Sequence, residues 1–135
     1  MVKRLILLFL MVLCMTTVSF AQTCRDKNNM TIGKIESDGT VRNASNMKIG
    51  CFDRSDIRDA SNMKVGSIDG STIRDKNNMK IGSIESNGTV RDASNMKIGS
   101  VESNGTVRDA NKMKIGSADG VNTTYAAVFF FFNRF

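Results

Sequence analysis

Lysine and arginine recur at two fixed positions of a repeated sequence unit, and they are the side chains best suited to hold a ligand. A lysine follows a methionine, and ten or eleven residues later an arginine precedes an acidic residue or asparagine. Rings of cations could hold phospholipid headgroups or another polyanion. The simpler interpretation, which we favour, is a solvated face, because the neighbouring aspartates weaken the field of the arginines. The candidate anion- or lipid-contacting residues are Lys48, Lys64, Lys80, Lys97, Lys114, Arg42, Arg58, Arg74, Arg91 and Arg108.

Methionine opens every copy of the unit and offers a second kind of chemistry. A ring of thioethers could bind a soft metal such as Cu(I). Methionine is also an adaptable core residue, and positions so regular and so far apart along the chain do not suggest a single site. We therefore expect core packing and no metal site. The six residues are Met30, Met47, Met63, Met79, Met96 and Met113.

The sequence does not indicate an enzyme, and we expect no catalytic residues and no cofactor. The chain contains no histidine, and the carboxylates Glu36, Glu85 and Glu102 recur with the repeat. A catalytic site instead needs one asymmetric group of different residues. Nucleic acid is not expected as a partner, because Phe52 is the one aromatic residue between Gln22 and the C-terminal tail. A stacking platform is therefore missing.

These residues belong to a unit that recurs along almost the whole chain. The signature Met-x-(Ile/Val)-Gly occurs six times, and its successive starts lie sixteen or seventeen positions apart. In the middle of the unit, Asn-Gly or Asp-Gly separates short runs rich in Ile, Val and Thr. These dipeptides suit a two-residue primed turn, so each unit predicts one β-hairpin. One copy would place strands at Met79 to Ile84 and Thr89 to Arg91, followed by a polar turn over residues 92–95.

A half unit at residues 22–29, five full units and the start at Met113 predict twelve strands. A solenoid would stack identical lysines about 4.8 Å apart, and like charges directly opposite are destabilising. An antiparallel meander separates equivalent strands by roughly 10 Å, about one Debye length. Closing the meander removes its exposed edges. Strands of about five or six residues are shorter than the roughly 9–11 residues of a membrane-spanning strand. The predicted fold class is therefore all-β, a shallow closed antiparallel barrel of about six hairpins.

The tail from Val121 to Phe135 breaks the repeat and is apolar on all sides. Such a segment favours burial on every side. A helix from Thr123 to Phe132 would measure roughly 15 Å, close to the expected barrel height, with Asn122 or Thr123 as its N-cap. We favour a helical plug through the barrel over a closing strand, although Phe and Val also suit strands.

The repeat together with this ending resembles the bacterial β-flower proteins. The motifs are Met96-Lys97-Ile98-Gly99, Asn104-Gly105-Thr106-Val107-Arg108-Asp109 and Ala126-Ala127-Val128-Phe129-Phe130-Phe131. The resemblance covers about residues 24 to 135 and implies a shallow barrel of radial hairpins. In outline that barrel is similar to the tubby-like C-terminal domain, whose twelve strands surround a hydrophobic helix and some of whose members bind phosphoinositides. No activity and no lipid-binding residue is carried over from either group.

The segment from Met1 to Ala21 has the pattern of a cleaved signal peptide. Lys3 and Arg4 precede an apolar run that ends at Ser19-Phe20-Ala21, so we expect cleavage after Ala21 and export to the periplasm or the outside of the cell. Loss of this segment lowers the formal net charge from +6 to +4. Cys24 and Cys51 remain and could pair in an oxidising compartment.

Two functions are therefore compatible with the sequence. The first is a non-enzymatic exported module that binds lipid, a membrane surface or another amphiphile with an apolar interior and basic rims. The second is a structural or protein-interaction module of the cell envelope, with the interior filled by its own tail. The repeat domain spans residues 22–135 in both cases, with units that begin near residues 30, 47, 63, 79, 96 and 113.

Overall fold

The computed structural model describes residues 22–135, and the predicted signal peptide lies outside the described residues. Twelve strands form one closed antiparallel barrel in which consecutive strands pair and β12 returns to pair with β1. The predicted barrel and strand number are confirmed. The strands are β1 Thr23–Asp26, β2 Thr31–Ile35, β3 Thr40–Asn43, β4 Lys48–Asp53, β5 Asp56–Asp59, β6 Lys64–Asp69, β7 Thr72–Asp75, β8 Lys80–Ile84, β9 Thr89–Asp92, β10 Lys97–Val101, β11 Thr106–Asp109 and β12 Lys114–Ala118.

Six turns between units share one geometry and lie at one end of the barrel, which we call the methionine end. In the turn from Asp92 to Met96, the Asp92 N–H donates to the Met96 carbonyl at 2.9 Å. The Asp92 carboxylate accepts the N–H groups of Ser94 and Met96 at 2.9 and 3.0 Å. Asn95 has a φ of 68°, which asparagine tolerates better than most residues. The aspartate and asparagine of the repeat therefore specify this turn, as predicted for the polar turn.

The Asn-Gly connections lie at the opposite end and differ from the expected turn. The Glu102 N–H donates to the Thr106 carbonyl at 2.8 Å, and the Gly105 N–H donates to the Glu102 carbonyl at 2.9 Å. Gly105 has a φ of 93°, whereas Asn104 is not among the residues with positive φ. The loop therefore has three residues and ends in a glycine in the left-handed region. The prediction of a two-residue primed turn centred on Asn-Gly is wrong.

Two shorter connections account for the two shorter intervals of the repeat. The last paired residues of strands β4 and β5 are Asp53 and Asp56, so the loop between them has two residues. Strands β6 and β7 likewise pair up to Asp69 and Thr72. The first loop residue has a positive φ in both cases, 59° at Arg54 and 62° at Gly70. Each of these units is one residue shorter because its loop is one residue shorter.

Inside the barrel, the inward-facing residues form three layers, and each hairpin contributes one residue to each layer. Two layers consist of apolar side chains, and the third consists of glycines. The middle layer is completely buried, and the glycines lie between it and the methionine end. The layer nearest the opposite end consists of Ile35, Phe52, Ile68, Ile84, Val101 and Ala118. The middle layer consists of Cys24, Val41, Ile57, Ile73, Val90 and Val107. The glycine layer consists of Gly33, Gly50, Gly66, Gly82, Gly99 and Gly116.

The tail forms a central helix, so the helical plug is confirmed and the closing strand is wrong. Helix α1, Thr123–Ala127, begins at Asn122, whose side-chain oxygen accepts the Thr124 N–H at 2.9 Å. It continues into a π-helical turn, Val128–Phe132, in which the Asn133 N–H donates to the Val128 carbonyl at 2.8 Å. Ala126, Ala127 and Val128 are completely buried. Within residues 22–135, no helix has the length and apolar character needed to cross a bilayer.

Candidate functional site

Five phenylalanine rings of the tail lie against five of the six layer glycines. A side-chain carbon added to any of these five glycines would overlap the ring, so only glycine leaves enough space. At the sixth, Gly66, the nearest atoms are the Arg74 carbonyl oxygen and the Ile57 side chain. The five pairs are Gly33 with Phe129, Gly116 with Phe130, Gly99 with Phe131, Gly82 with Phe132 and Gly50 with Phe135.

The order of these pairs explains the π-helical turn. Residues 129 to 132 contact strands β2, β12, β10 and β8 in turn, so each step along the chain moves to the neighbouring hairpin. A π-helix bonds residue i to residue i+5 and holds more residues per turn than an α-helix. Successive side chains are therefore rotated by a smaller angle, which suits six hairpins around one axis. The recurring glycine and the run of phenylalanines are the sequence signals of this arrangement, but neither pattern predicts that the two meet.

Aromatic contacts fix the tail on one side of the barrel. Tyr125 stacks on Phe52 with ring centroids 4.0 Å apart, and Phe135 meets Phe52 edge-on at 5.4 Å. An open cavity of about 260 Å³ lies beside Tyr125, where the tail enters the barrel. Its lining also includes Arg54, Ser55 and Ile68. The barrel axis itself is occupied by the chain's own tail.

The six repeat methionines are exposed, and the prediction that they pack in the core is wrong. Each has 65–66% of its surface accessible. Met96 illustrates the reason, because it directly follows Asn95, the turn residue with positive φ, and so lies beyond the glycine layer. The phenylalanine rings already cover that layer. The core therefore ends below the methionines.

The arginines are held by partners at both ends of their guanidinium groups. Arg91 donates from Nε to Glu85 Oε1 at 2.6 Å and from a terminal nitrogen to the Asn95 carbonyl at 3.2 Å. Arg42 and Arg108 repeat this arrangement with Glu36 and Glu102. These carboxylates are thus anchors for arginine at the loops opposite the methionine end.

The two shorter loops provide aspartate in place of glutamate, and their arginines are held less closely. The Nε atoms of Arg58 and Arg74 lie 3.7 Å from Asp53 and Asp69. Arg58 compensates with a terminal nitrogen that donates to Asp56 at 2.9 Å. All five candidate arginines are only half-buried, and each carries an acidic neighbour.

The candidate lysines are exposed and lie opposite arginines on the neighbouring strands. Lys97 pairs with Arg91, and the same register joins Lys48 to Arg42. Lys64, Lys80 and Lys114 are placed in the same way. The meander separates lysine from lysine as expected, but it brings lysine next to arginine. Each of these lysines therefore has an arginine as its cross-strand partner, and Lys64 also lies 3.5 Å from Asp56.

The two cysteines of the described chain are free and do not form the pair considered above. Cys24 is buried in the middle layer on β1, and burial raises the pKa of its thiol to about 12. Cys51 is half-buried on β4, which is separated from β1 by β2 and β3. No group of three or more acidic or cysteine residues in residues 22–135 is arranged to hold a metal ion.

A family model described as 5-fold beta-flower protein matches residues 21–134. The chain belongs to this family. The resemblance predicted from the repeat is confirmed, and membership by itself indicates a small repeat β-barrel. The beta-flower barrel here has five complete units, and pairing of β12 with β1 joins the two ends of the chain into the sixth hairpin. Comparison with curated proteins and with solved structures found no match.

Proposed function

We propose that this beta-flower protein is a non-enzymatic, exported module that binds anionic lipid headgroups with its outer surface. The observation that carries the proposal is the filled interior. Phenylalanines from the tail occupy five of the six glycine positions, and Tyr125 and Phe135 cover Phe52. An amphiphile would therefore have to bind outside, where the cationic side chains are.

The exposed cations support an anionic ligand. The chain from residue 22 onward carries a formal net charge of +4, and the lysines that follow the methionines are exposed. Because Lys97 lies opposite Arg91, cations from adjacent strands are close enough to attract the same anion. Anions near such a surface are attracted more strongly than by isolated charges.

The role of the carboxylates favours binding over catalysis. Glu36, Glu85 and Glu102 each accept a hydrogen bond from an arginine. Asp38, at the same kind of loop, has a pKa below its ordinary value because it accepts hydrogen bonds from the backbone N–H and then the side chain of Thr40. These groups perform repeated structural tasks rather than one asymmetric reaction.

A second candidate is a structural or protein-interaction module of the cell envelope. The observation in its favour is the exposed methionine ring, because methionine is enriched in protein–protein interfaces. This function requires no lipid at all.

Two measurements test the proposed function. Native mass spectrometry of the purified mature protein, residues 22–135, after organic extraction should release no stoichiometric lipid, because the interior is occupied. Cosedimentation should show binding to vesicles that contain phosphatidylglycerol and much weaker binding to pure phosphatidylcholine vesicles. Equal or absent binding to the two vesicle types would contradict the proposal, and absence would favour the protein-interaction candidate.

A further inference from the structure

The lysines are concentrated at one end of the barrel. Eight of them lie in the six turns of the methionine end or directly after those turns, whereas five aspartates begin the same turns. Asp92 shows that these aspartates are engaged, because its carboxylate accepts two backbone N–H groups of the turn. The lysines other than Lys64, whose Nζ lies 3.5 Å from Asp56, are therefore the freer charges at this end. The eight lysines are Lys27, Lys48, Lys64, Lys76, Lys80, Lys97, Lys112 and Lys114.

The opposite end is acidic. Eight carboxylates lie in its loops or at the adjoining strand ends, and Arg54 is the one cation within these loops in the described part of the chain. Lys34, on β2, lies 4.0 Å from Glu36. The barrel therefore carries most of its lysines at one end and eight of its thirteen carboxylates at the other. The carboxylates are Glu36, Asp38, Asp53, Asp56, Asp69, Glu85, Glu102 and Asp119.

The basic end is also the apolar end of the molecular surface. All six methionines are 65–66% exposed there, and the phenylalanine rings on the glycine layer beneath them are only half-buried. The isoleucine or valine that precedes each glycine is half-buried as well. Exposed apolar groups clustered on one face of a protein usually mark an interaction surface.

We propose that the methionine end is the face that docks on an anionic bilayer, an inference that rests on the function proposed above. The six thioethers enter the boundary between headgroups and acyl chains, and the lysines remain among the headgroups. Peripheral membrane proteins combine apolar insertion with attraction to anionic lipid in this way. Repulsion of the acidic end from the same surface sets the orientation, with the barrel axis along the membrane normal.

The methionines suit this task because of their flexibility. An unbranched side chain with a polarisable sulfur adapts to an irregular, moving surface better than a branched one. The rigid barrel presents six of them at one level, since all six turns share one geometry. From residue 22 onward these six are all the methionines of the chain. Methionine oxidation by peroxide, which transfers one oxygen to the thioether and releases water, therefore modifies this face. The free thiols Cys24 and Cys51 can also react with peroxide, but methionine sulfoxide reductase reverses only the change at the methionines.

A single tryptophan provides the most direct test, because the chain contains none. Met79→Trp places the reporter at the methionine end, and the matched control Ser86→Trp places it in an exposed loop of the opposite end. With phosphatidylglycerol-containing vesicles, the Met79→Trp emission should shift to the blue and be quenched by lipids brominated near the headgroup. The Ser86→Trp emission should stay unchanged.

Affinity measurements provide an independent test with the mature protein, residues 22–135. Lys80→Gln with Lys97→Gln should weaken vesicle binding by roughly fivefold per lysine at low salt, whereas Arg54→Gln should not weaken it. Peroxide oxidation should also weaken binding, and methionine sulfoxide reductase should restore it.

The outcomes separate the two proposals. If the unmodified protein does not bind anionic vesicles, the proposed function fails. If it binds but the Ser86→Trp emission shifts and the Met79→Trp emission does not, the lipid-binding function stands and the docking face is wrong. A blue shift of Met79→Trp without vesicles, growing with protein concentration, would show that a second copy covers this face and would also overturn the inference.

Discussion

The ring of Phe131 lies so close to Gly99 that a methyl group on this glycine would sit 2.5 Å from both Cε1 and Cζ of the ring. Four other phenylalanine–glycine pairs repeat the contact around the barrel. The glycine of each unit and the run of phenylalanines at the end of the chain therefore act together. The glycines keep the wall thin enough to admit the rings, and the rings fill the space that the glycines leave.

The Phe131–Gly99 contact predicts coupling between the two positions. Gly99→Ala should lower the unfolding free energy by about 1–3 kcal/mol more than Gly66→Ala, because alanine at Gly66 meets no phenylalanine ring. Phe131→Ala should remove part of that difference in the double variant. Urea denaturation of the single and double variants measures the coupling, and additivity within about 0.5 kcal/mol would contradict it.

Single truncations test the plug itself. Phe→Ala in a fully buried core costs about 3–5 kcal/mol, and Phe130 and Phe131 are half-buried. We therefore expect each single substitution to cost about 2 kcal/mol in thermal or urea unfolding. Met96→Ala is the matched control at the same end and should change stability by no more than about 0.5 kcal/mol, since its side chain is exposed. Unchanged stability in either phenylalanine variant would exclude the packed plug.

The barrel could be predicted from the sequence because its determinants are local and repeated. Asp92 and Asn95 define a turn within a few positions of the chain, and each copy of the unit supplies the same signal. Repulsion between equivalent lysines then selects the meander over the solenoid. The strand number follows from the repeat spacing alone.

Two features depend on packing and strand pairing in the folded structure and cannot be predicted from the repeat in the same way. A repeat along the chain does not show how far the core extends. Met96 therefore looks like a core residue in the sequence, although it lies beyond the phenylalanine rings at the edge of the core and is exposed. Asn104-Gly105 fits both two-residue and three-residue loops, and only the pairing of Glu102 with Thr106 distinguishes them. The contact between Phe131 and Gly99 joins the tail to strand β10 of the barrel, and no local sequence pattern predicts this contact.

The loop glycines predict a further difference in stability. Gly105 has a φ of 93°, and an added Cβ would lie 2.9 Å from the Ala118 carbonyl oxygen. Gly105→Val should therefore destabilise the protein by roughly 1–3 kcal/mol. Gly70→Val is the control, because Gly70 has a φ of 62° but nothing within 4 Å of the added carbon. Its melting temperature should fall less, and equal losses would show that the contact with Ala118 is unimportant.

Export predicts the N-terminus of the mature protein. The residues involved lie outside the described part of the structure, so the expectation rests on Lys3-Arg4, the apolar run and Ala21. Expression in a bacterium should yield a protein that begins at Gln22, with or without cyclisation of the glutamine. Intact-mass and N-terminal peptide analysis of the exported fraction measure this. Retention of Met1, or a diacylglyceryl group on Cys24, would contradict it.

The buried thiol of Cys24 predicts a pH dependence of stability. Burial raises its pKa to about 12, whereas a free cysteine in the unfolded chain has a pKa of about 8.5. Below the lower pKa both states hold the proton, and Cys24 contributes no slope. Between the two values the unfolded state loses its proton first, so the unfolding free energy falls as pH rises, by up to about 1.4 kcal/mol per pH unit.

Replacement by the residue of the equivalent strands isolates this effect. Val41, Val90 and Val107 occupy the same layer, so Cys24→Val should fold normally and lack the slope that Cys24 adds. Other groups also titrate above pH 9, and the measured quantity is therefore the difference in unfolding free energy between variant and parent at pH 8, 9, 10 and 11. That difference should grow in favour of the variant as pH rises. If the difference for Cys24→Val does not change with pH, the thiol ionises in the folded protein as readily as in the unfolded chain. Cys24 would then be accessible to water and not buried inside the barrel.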